Sequence, residues 1–374
     1  MERKHLSGRK KIVVKIGTSL ITTSSGRLNS KQMESLVNQV AMLRKQGHLI
    51  LVVTSGAIAA GIECLGLKSR PKEIPKLQAA ASVGQGLLVE RYANLFNKYN
   101  LKVGQVLVTQ FDVTHRQQYL NTRNTLNKLF ELGVVPVVNE NDTTAIDEIK
   151  FGDNDTLAAL VASLIKADLL ILLSDIEGLY TADPRLRKDA KLVCEVEDIT
   201  SEVESLAGGV GTKFGSGGMI TKIQAGKIAT FSGVCMIIAD GRKPNVVLDI
   251  VDGRPVGTVF LPKKKKVSSK KLWIAFGHTS KGKIKIDNGA KKAIIEGGKS
   301  LLPAGTIDCF GKFSVGDSVD IVDLNGEIFA KGLTNFSSDE IKKIKGLRRG
   351  EVVKKLSEEA SEEIIHRDCL VVLK

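Results

Sequence analysis

Aromatic residues make up only 5% of the 374-residue chain, with one tryptophan and four tyrosines. A broad base-stacking platform for nucleic acid is therefore not evident. No apolar run approaches the roughly 18 residues of a membrane span, which excludes a transmembrane helix. Cys64, Cys194, Cys235, Cys309 and Cys369 are scattered and never form a CxxC pair. That pattern speaks against a disulfide frame and a zinc ribbon, and for free thiols in a reducing compartment. The five histidines (His5, His48, His115, His278, His366) show no ligand spacing. No metal-ligating residues are assigned, although a hard cation held by oxygens stays open. The segment after Met1 is basic and lacks the apolar core of a secretory signal, so a cytoplasmic location is expected.

What is present fits a folded protein. The chain is 43% hydrophobic and 26% charged, with mean hydropathy +0.01, and its length suggests about two domains. Val/Ile/Leu-rich runs at 11–16, 49–53, 103–108, 134–138, 169–173 and 234–239 read as strands covered on both faces. Amphipathic stretches at 32–46, 78–99, 117–132, 156–166 and 221–231 read as helices between them. Such alternation predicts an α/β three-layer sandwich with a mainly parallel sheet over residues 1–262. Lys263–Lys266 open a basic linker, and short glycine-punctuated strands at 284–286, 318–322, 327–330 and 370–373 follow. They suit a small β-barrel-like domain over 280–358, with a further segment to residue 374. More than half of the +14 net charge falls after residue 262. A basic surface admits nucleotide phosphates or RNA as partner, and the lysine run equally reads as a solvated hinge.

The polar groups collect where the expected strands end. Lys15 runs into Gly17-Thr18-Ser19, either an ordinary turn or a place where backbone and ammonium approach phosphate. Thr54-Ser55-Gly56-Ala57 is a small-residue strand–helix junction. Asn139–Asp142 and Gly152–Asp155 are two dense Asn/Asp groups, of which one residue is expected to cap a helix. Beyond the cap, Asp142 could bind an ammonium while Asn154 holds a carboxylate, the head group of an amino acid. Ser174-Asp175 ends the next strand, and the glycine-rich loop Gly215–Gly218 leads into Met219, Ile220, Thr221 and Lys222. In open α/β sheets ligands sit beyond these carboxyl ends.

In this order, Val14–Ser19, Val53–Ile58, Asn139–Asp142, Gly152–Asp155 and Gly217–Lys222 resemble the amino-acid kinase family, and within it the members that phosphorylate glutamate. Residues after the linker resemble a PUA domain. The resemblance implies transfer of the ATP γ-phosphoryl group to the side-chain carboxylate of L-glutamate, a step toward proline. It implies ATP contacts from Lys15, Gly17, Ser174, Asp175, Ser216, Gly217, Gly218, Met219, Ile220, Thr221 and Lys222. Ser55, Asp142 and Asn154 would bind glutamate. Ser174 stands where threonine is usual, and Ser216 lies in a segment that often reads Gly-Thr-Gly-Gly; both keep a hydroxyl. Feedback inhibition by proline and a dimeric or tetrameric assembly are also implied, and RNA binding through the PUA-like part is the alternative. A carboxylate acceptor is already ionised at pH 7 and needs no general base. Catalysis would then rest on Lys15 and Lys222 flanking the phosphoryl group, Asp175 orienting the lysines and Mg2+ bridging phosphates. Kinases for acetylglutamate, aspartate, carbamate and uridylate are rivals within the same fold.

Overall fold

The computed structural model describes residues 8, 10–23, 27–109, 112, 116–144, 154–207, 218–263, 271, 274–275, 280–348, 351–352, 355 and 362–373. The chain divides into two compact units, Met1–Lys266 and Val267–Lys374. The first begins with β1 (Lys11–Ile16), α1 (Thr18–Ile21), α2 (Ser30–Lys45), β2 (Leu49–Val53), α3 (Ala57–Cys64), α4 (Ile74–Asn97) and β3 (Val103–Val108). It continues through α5 (Arg116–Glu131), β4 (Val135–Glu140), α6 (Asn154–Leu164), β5 (Leu169–Ser174) and β6 (Glu195–Val196). It ends with α7 (Ser201–Leu206), α8 (Met219–Phe231), β7 (Cys235–Asp240), α9 (Val246–Val251) and β8 (Thr258–Phe260).

The eight strands lie in the order β3-β4-β2-β1-β5-β7-β8-β6. Every pairing is parallel except β7 with β8, so the α/β expectation is met. β1, β2 and β3 begin and end where the apolar runs do. β4 runs two residues further than its apolar run, because Leu107 pairs with Asn139 and Val108 with Glu140. Those two polar residues therefore belong to the strand, not to the loop after it. β6 and β8 escaped sequence reading because two and three residues carry no periodicity.

β1 is buried on both faces. Ile12, Val14 and Ile16 join one core with Leu36 of α2, Leu88 and Tyr92 of α4 and Ile250 of α9. Lys15, one residue out of phase, emerges on the opposite face, where α6 packs on β1 and on α8. β2, β4 and β3 lie to one side of β1, and β5, β7 and β8 to the other. The chain crosses over between β4 and β5, so the order reverses at the β1/β5 pair, the crevice where open α/β sheets take their ligands.

The second unit comprises β9 (Gly282–Ile286), α10 (Asn288–Ile295), β10 (Thr306–Gly311), β11 (Ser318–Val322), β12 (Ile328–Leu333), α11 (Ser338–Ile344) and β13 (Leu370–Val372). Its sheet runs β10-β9-β11-β12-β13, parallel only between β9 and β11. β10 was not legible beforehand, since a register shift between Thr306 and Asp308 breaks its alternation. β13 draws residues past 358 into the same sheet. Ile284, Val319, Ile321, Phe329 and Ile341 form its core, and Ser337 with Glu340 makes a reciprocal capping box at α11. Among the described residues, no helix is long and apolar enough to cross a membrane.

α3 and α4 meet backbone to backbone. A Cβ on Gly61 would stand 1.7 Å from the Ala80 carbonyl oxygen, and one on Gly84 would stand 1.8 Å from that of Ala57. Neither backbone can yield without shifting a helix. Gly84→Ala should therefore cost about 2 kcal/mol or more. Gly86→Ala, where nothing lies within 4 Å of the added Cβ, should stabilise by about 1 kcal/mol. Urea denaturation midpoints of the two variants check the contrast.

Candidate active site

The site grows from the carboxyl end of β1. Lys15 pairs with Val53 of β2 and Leu172 of β5, which aims its side chain into the crevice. The Gly17 N–H donates to the Leu173 carbonyl at 3.1 Å. That amide is thus committed to the ladder and is not a free phosphate donor. Gly17 instead contributes the lack of a side chain, because a Cβ there would lie 3.1 Å from the Leu173 carbonyl oxygen.

Asp155 occupies the centre. One of its carboxylate oxygens accepts from Lys15 Nζ, and the other accepts from Lys222 Nζ at 3.1 Å and from Thr221 Oγ1 at 3.1 Å. All three charged side chains are buried, with relative exposures of 9% for Lys15, 5% for Lys222 and 1% for Asp155. Asp155 lies in the first turn of α6, where the helix dipole favours a negative charge. Lys222 lies in the first turn of α8, where that dipole disfavours a cation, so the carboxylate compensates it. Among the described residues, two lysine ammonium groups thus meet on this one carboxylate, Lys15 and Lys222 converging on it from separate elements.

The residue that orients the lysines is Asp155, not Asp175. The carboxylate of Asp175 sits on an exposed residue, and its backbone carbonyl accepts from Arg242 Nη2 at 2.7 Å. Arg242 also grips Asp240 through two side-chain bonds of 2.9 and 2.8 Å, tying the ends of β5 and β7 together. Beside it, Ser174 Oγ is buried without a hydrogen-bond partner among the described residues, a hydroxyl open to a ligand.

The other half of the site is an amide cluster. Asn154 Nδ2 donates to the Thr54 carbonyl at 2.8 Å, to Ser55 Oγ at 2.9 Å and to Asn139 Oδ1 at 3.0 Å. Thr54 Oγ1 meets Tyr92 OH at 2.9 Å, and burial, eased slightly by that bond, pushes the Tyr92 phenol up to about 12. Gly56, at φ 95°, caps α3 and turns the chain there. Ser55 and Asn154 are therefore brought together, whereas Asp142, two residues beyond β4, is half-buried in the loop that follows. Neither Asn154 nor Asp155 is the helix cap expected of that run; both stand inside α6, about 100° apart, and face different partners. The Asn154 N–H groups are all spent on protein acceptors, so this side chain is not the carboxylate donor that the spacing suggested.

Gly218 caps α8, and Met219, Ile220, Thr221 and Lys222 form its first turn. Ser216 and Gly217 lie outside the described residues. Sequence reasoning missed the central place of Asp155, the polar strand residue Asn139, and Arg242. The only available signal for Asp155 was an acidic residue beyond what one cap requires.

Burial opposes an ionised Asp155, but Lys15 and Lys222 outweigh it and bring its pKa from 3.8 to about 2. Its contribution to stability is then present above pH 3.8 and lost as pH falls toward 2. Asp155→Asn should flatten that part of the acid limb in a plot of denaturation midpoint against pH, and should destabilise the fold at neutral pH by leaving two buried ammonium groups uncompensated.

With this geometry in place, the chain can be set beside known proteins. A family model described as the amino acid kinase family matches residues 10–240, and one for the PUA domain matches residues 282–356. A glutamate 5-kinase from Thermoanaerobacter sp. (strain X514) is 52% identical over 97% of this chain and 98% of its own. Those from Dehalococcoides mccartyi and Carboxydothermus hydrogenoformans are each 48% identical, over 97% and 99% of this chain and 98% and 100% of theirs. Carbamate kinase from Giardia lamblia, solved with AMP-PNP, shares the fold at 16% identity with a TM-score of 0.50, over 68% of this chain and 99% of that one. The chain belongs to the amino acid kinase family and carries a C-terminal PUA domain.

Proposed function

We propose that the N-terminal unit transfers the γ-phosphoryl group of ATP to the side-chain carboxylate of L-glutamate, giving L-glutamyl 5-phosphate. The observation that carries this reading is the buried Lys15–Asp155–Lys222 group at the β1/β5 switch point, beside an amide-lined acceptor half. Relatives named glutamate 5-kinase that match end to end support the choice of acceptor.

The chemistry follows from charge. The acceptor oxygen is already anionic, so the site must hold two anions together and balance charge on the group in flight. The two ammonium groups do this, with Lys15 reaching from the β1 end and Lys222 from α8. Asp155 holds both ammonium groups in place before substrate arrives, which removes reorganisation from the reacting step. Ser174, Asp175, Gly17 and the turn Gly218–Lys222 border the nucleotide side, with Ser216 and Gly217 preceding that turn in sequence. Mg2+ would arrive on the ATP phosphates, whose oxygens suit a hard cation. Ser55, Asp142 and Asn154 form the acceptor side, Asp142 supplying a carboxylate for the substrate amine.

ADP release should depend on glutamate, with acetylglutamate, aspartate and carbamate poor replacements. Acetylglutamate outperforming glutamate would overturn the assignment. Lys222→Ala should lower turnover about 100-fold in protein that is still folded by circular dichroism, and unchanged turnover would remove Lys222 from the mechanism. Proline shares the amine and α-carboxylate of glutamate, so it should inhibit competitively. Initial rates across a glutamate series at fixed proline test this: relief by excess glutamate is expected.

A further inference from the structure

Gln85 lies in the middle of α4, on the face that also buries Ala81, Gly84, Leu88 and Tyr92. An amide on an apolar helix face is costly unless it is hydrogen bonded, and any apolar residue of its size would fill the space. Its side-chain carbonyl Oε1 accepts from Asn139 Nδ2 at 2.7 Å, while its Nε2 is buried without a partner among the described residues. Asn139 Oδ1 in turn accepts from Asn154 Nδ2. Three amides from α4, β4 and α6 therefore form one relay.

The polarity of that relay is dictated by the backbone. The Thr54 carbonyl can only accept, so Asn154 must present its NH2 group there and toward Asn139. Asn139 must then present its oxygen to Asn154 and its NH2 to Gln85, and Gln85 must present oxygen. What remains at the substrate end is Asn154 Oδ1, buried and without a partner among the described residues. Ser55, which the Asn154 amide also touches, adjoins it. A spare carbonyl oxygen suits a primary ammonium and repels a carboxylate.

We propose that Gln85 is a positioning residue for substrate selection: through Asn139 it reinforces the orientation, set by the Thr54 carbonyl, in which Asn154 offers its oxygen to the amine of the acceptor. Resting on glutamate as the acceptor, this assigns part of amine recognition to a relay whose far end lies in α4. Without an acceptor at position 85, the Asn139 amide loses the bond that holds its far end, its oxygen is less firmly placed against Asn154, and the orientation of Asn154 has one of its three supports weakened.

The test compares glutamate with glutarate, which keeps both carboxylates and lacks the amine, as phosphoryl acceptors for the full chain. Gln85→Met, similar in size but offering no amide oxygen, should lower the glutamate-to-glutarate ratio of kcat/KM about 10-fold, chiefly through glutamate KM, with the KM for ATP unchanged. Gln85→Glu keeps an acceptor oxygen for Asn139 and should hold that ratio within about 3-fold of the starting protein. A purely structural role would lower both acceptors equally and leave the ratio unmoved. An unchanged ratio in Gln85→Met, or an equal fall of the ratio in both variants, overturns the proposal. Absence of glutamate phosphorylation by the unsubstituted protein would instead overturn the underlying reading.

Discussion

A single carboxylate, Asp155, holding two buried ammonium groups at the carboxyl end of β1 is the constraint on which the rest depends. Each of these charges alone would be expensive to bury. Together, with the first turn of α6 behind the carboxylate and a hydroxyl from Thr221 beside it, they are sustainable. Such an arrangement tolerates little error in position, because it joins β1, α6 and α8. The burial of β1 on both faces and the direct packing of α6 on α8 supply the necessary rigidity. A site that brings two ammonium groups together suits an anion, and phosphoryl transfer to a carboxylate is the proposed use.

The two halves of the site work on different physics. Around Asp155 the interaction is between full charges, strong and weakly directional. Around Asn154 it is between neutral amides, each modest, whose value lies in direction. The backbone carbonyl of Thr54 orients the amide cluster, and Tyr92 backs Thr54 from α4. α4 reaches this position because Gly61 and Gly84 let it lie against α3 without side chains between. A packing detail of two helices is thus coupled to the polar geometry at the strand ends.

Much of the scaffold was legible beforehand because buried parallel strands announce themselves. The runs Lys11–Ile16 and Leu49–Val53 have the apolar continuity that burial on both faces requires. β6 and β8 were invisible because strands this short have no pattern to detect. Within the site, Lys15, Ser55, Asn154 and Lys222 stood out through their place at strand or helix ends, and the structure gathers them in two adjoining groups. The exchange of Asp175 for Asp155 has a physical cause. Both aspartates stand at an element end, and only the rotation of α6 against β1 and α8 decides which carboxylate is enclosed. The polarity of Asn139 interrupts the apolar run and reads as loop, yet pairing with β3 keeps it in the strand.

From the linear chain come the alternation of strands and helices, the basic linker at 263–266, the clustering of polar residues at strand ends and the family to which those motifs point. These are properties of composition and spacing, which burial and helical periodicity translate directly into local structure. Only the folded chain decides which carboxylate faces the lysines, which atom of Asn154 is left unpaired and how far Gln85 stands from being an ordinary core residue. Those outcomes depend on hydrogen-bond direction between residues 15 to 140 positions apart, and no local pattern encodes the direction of a contact with a distant partner.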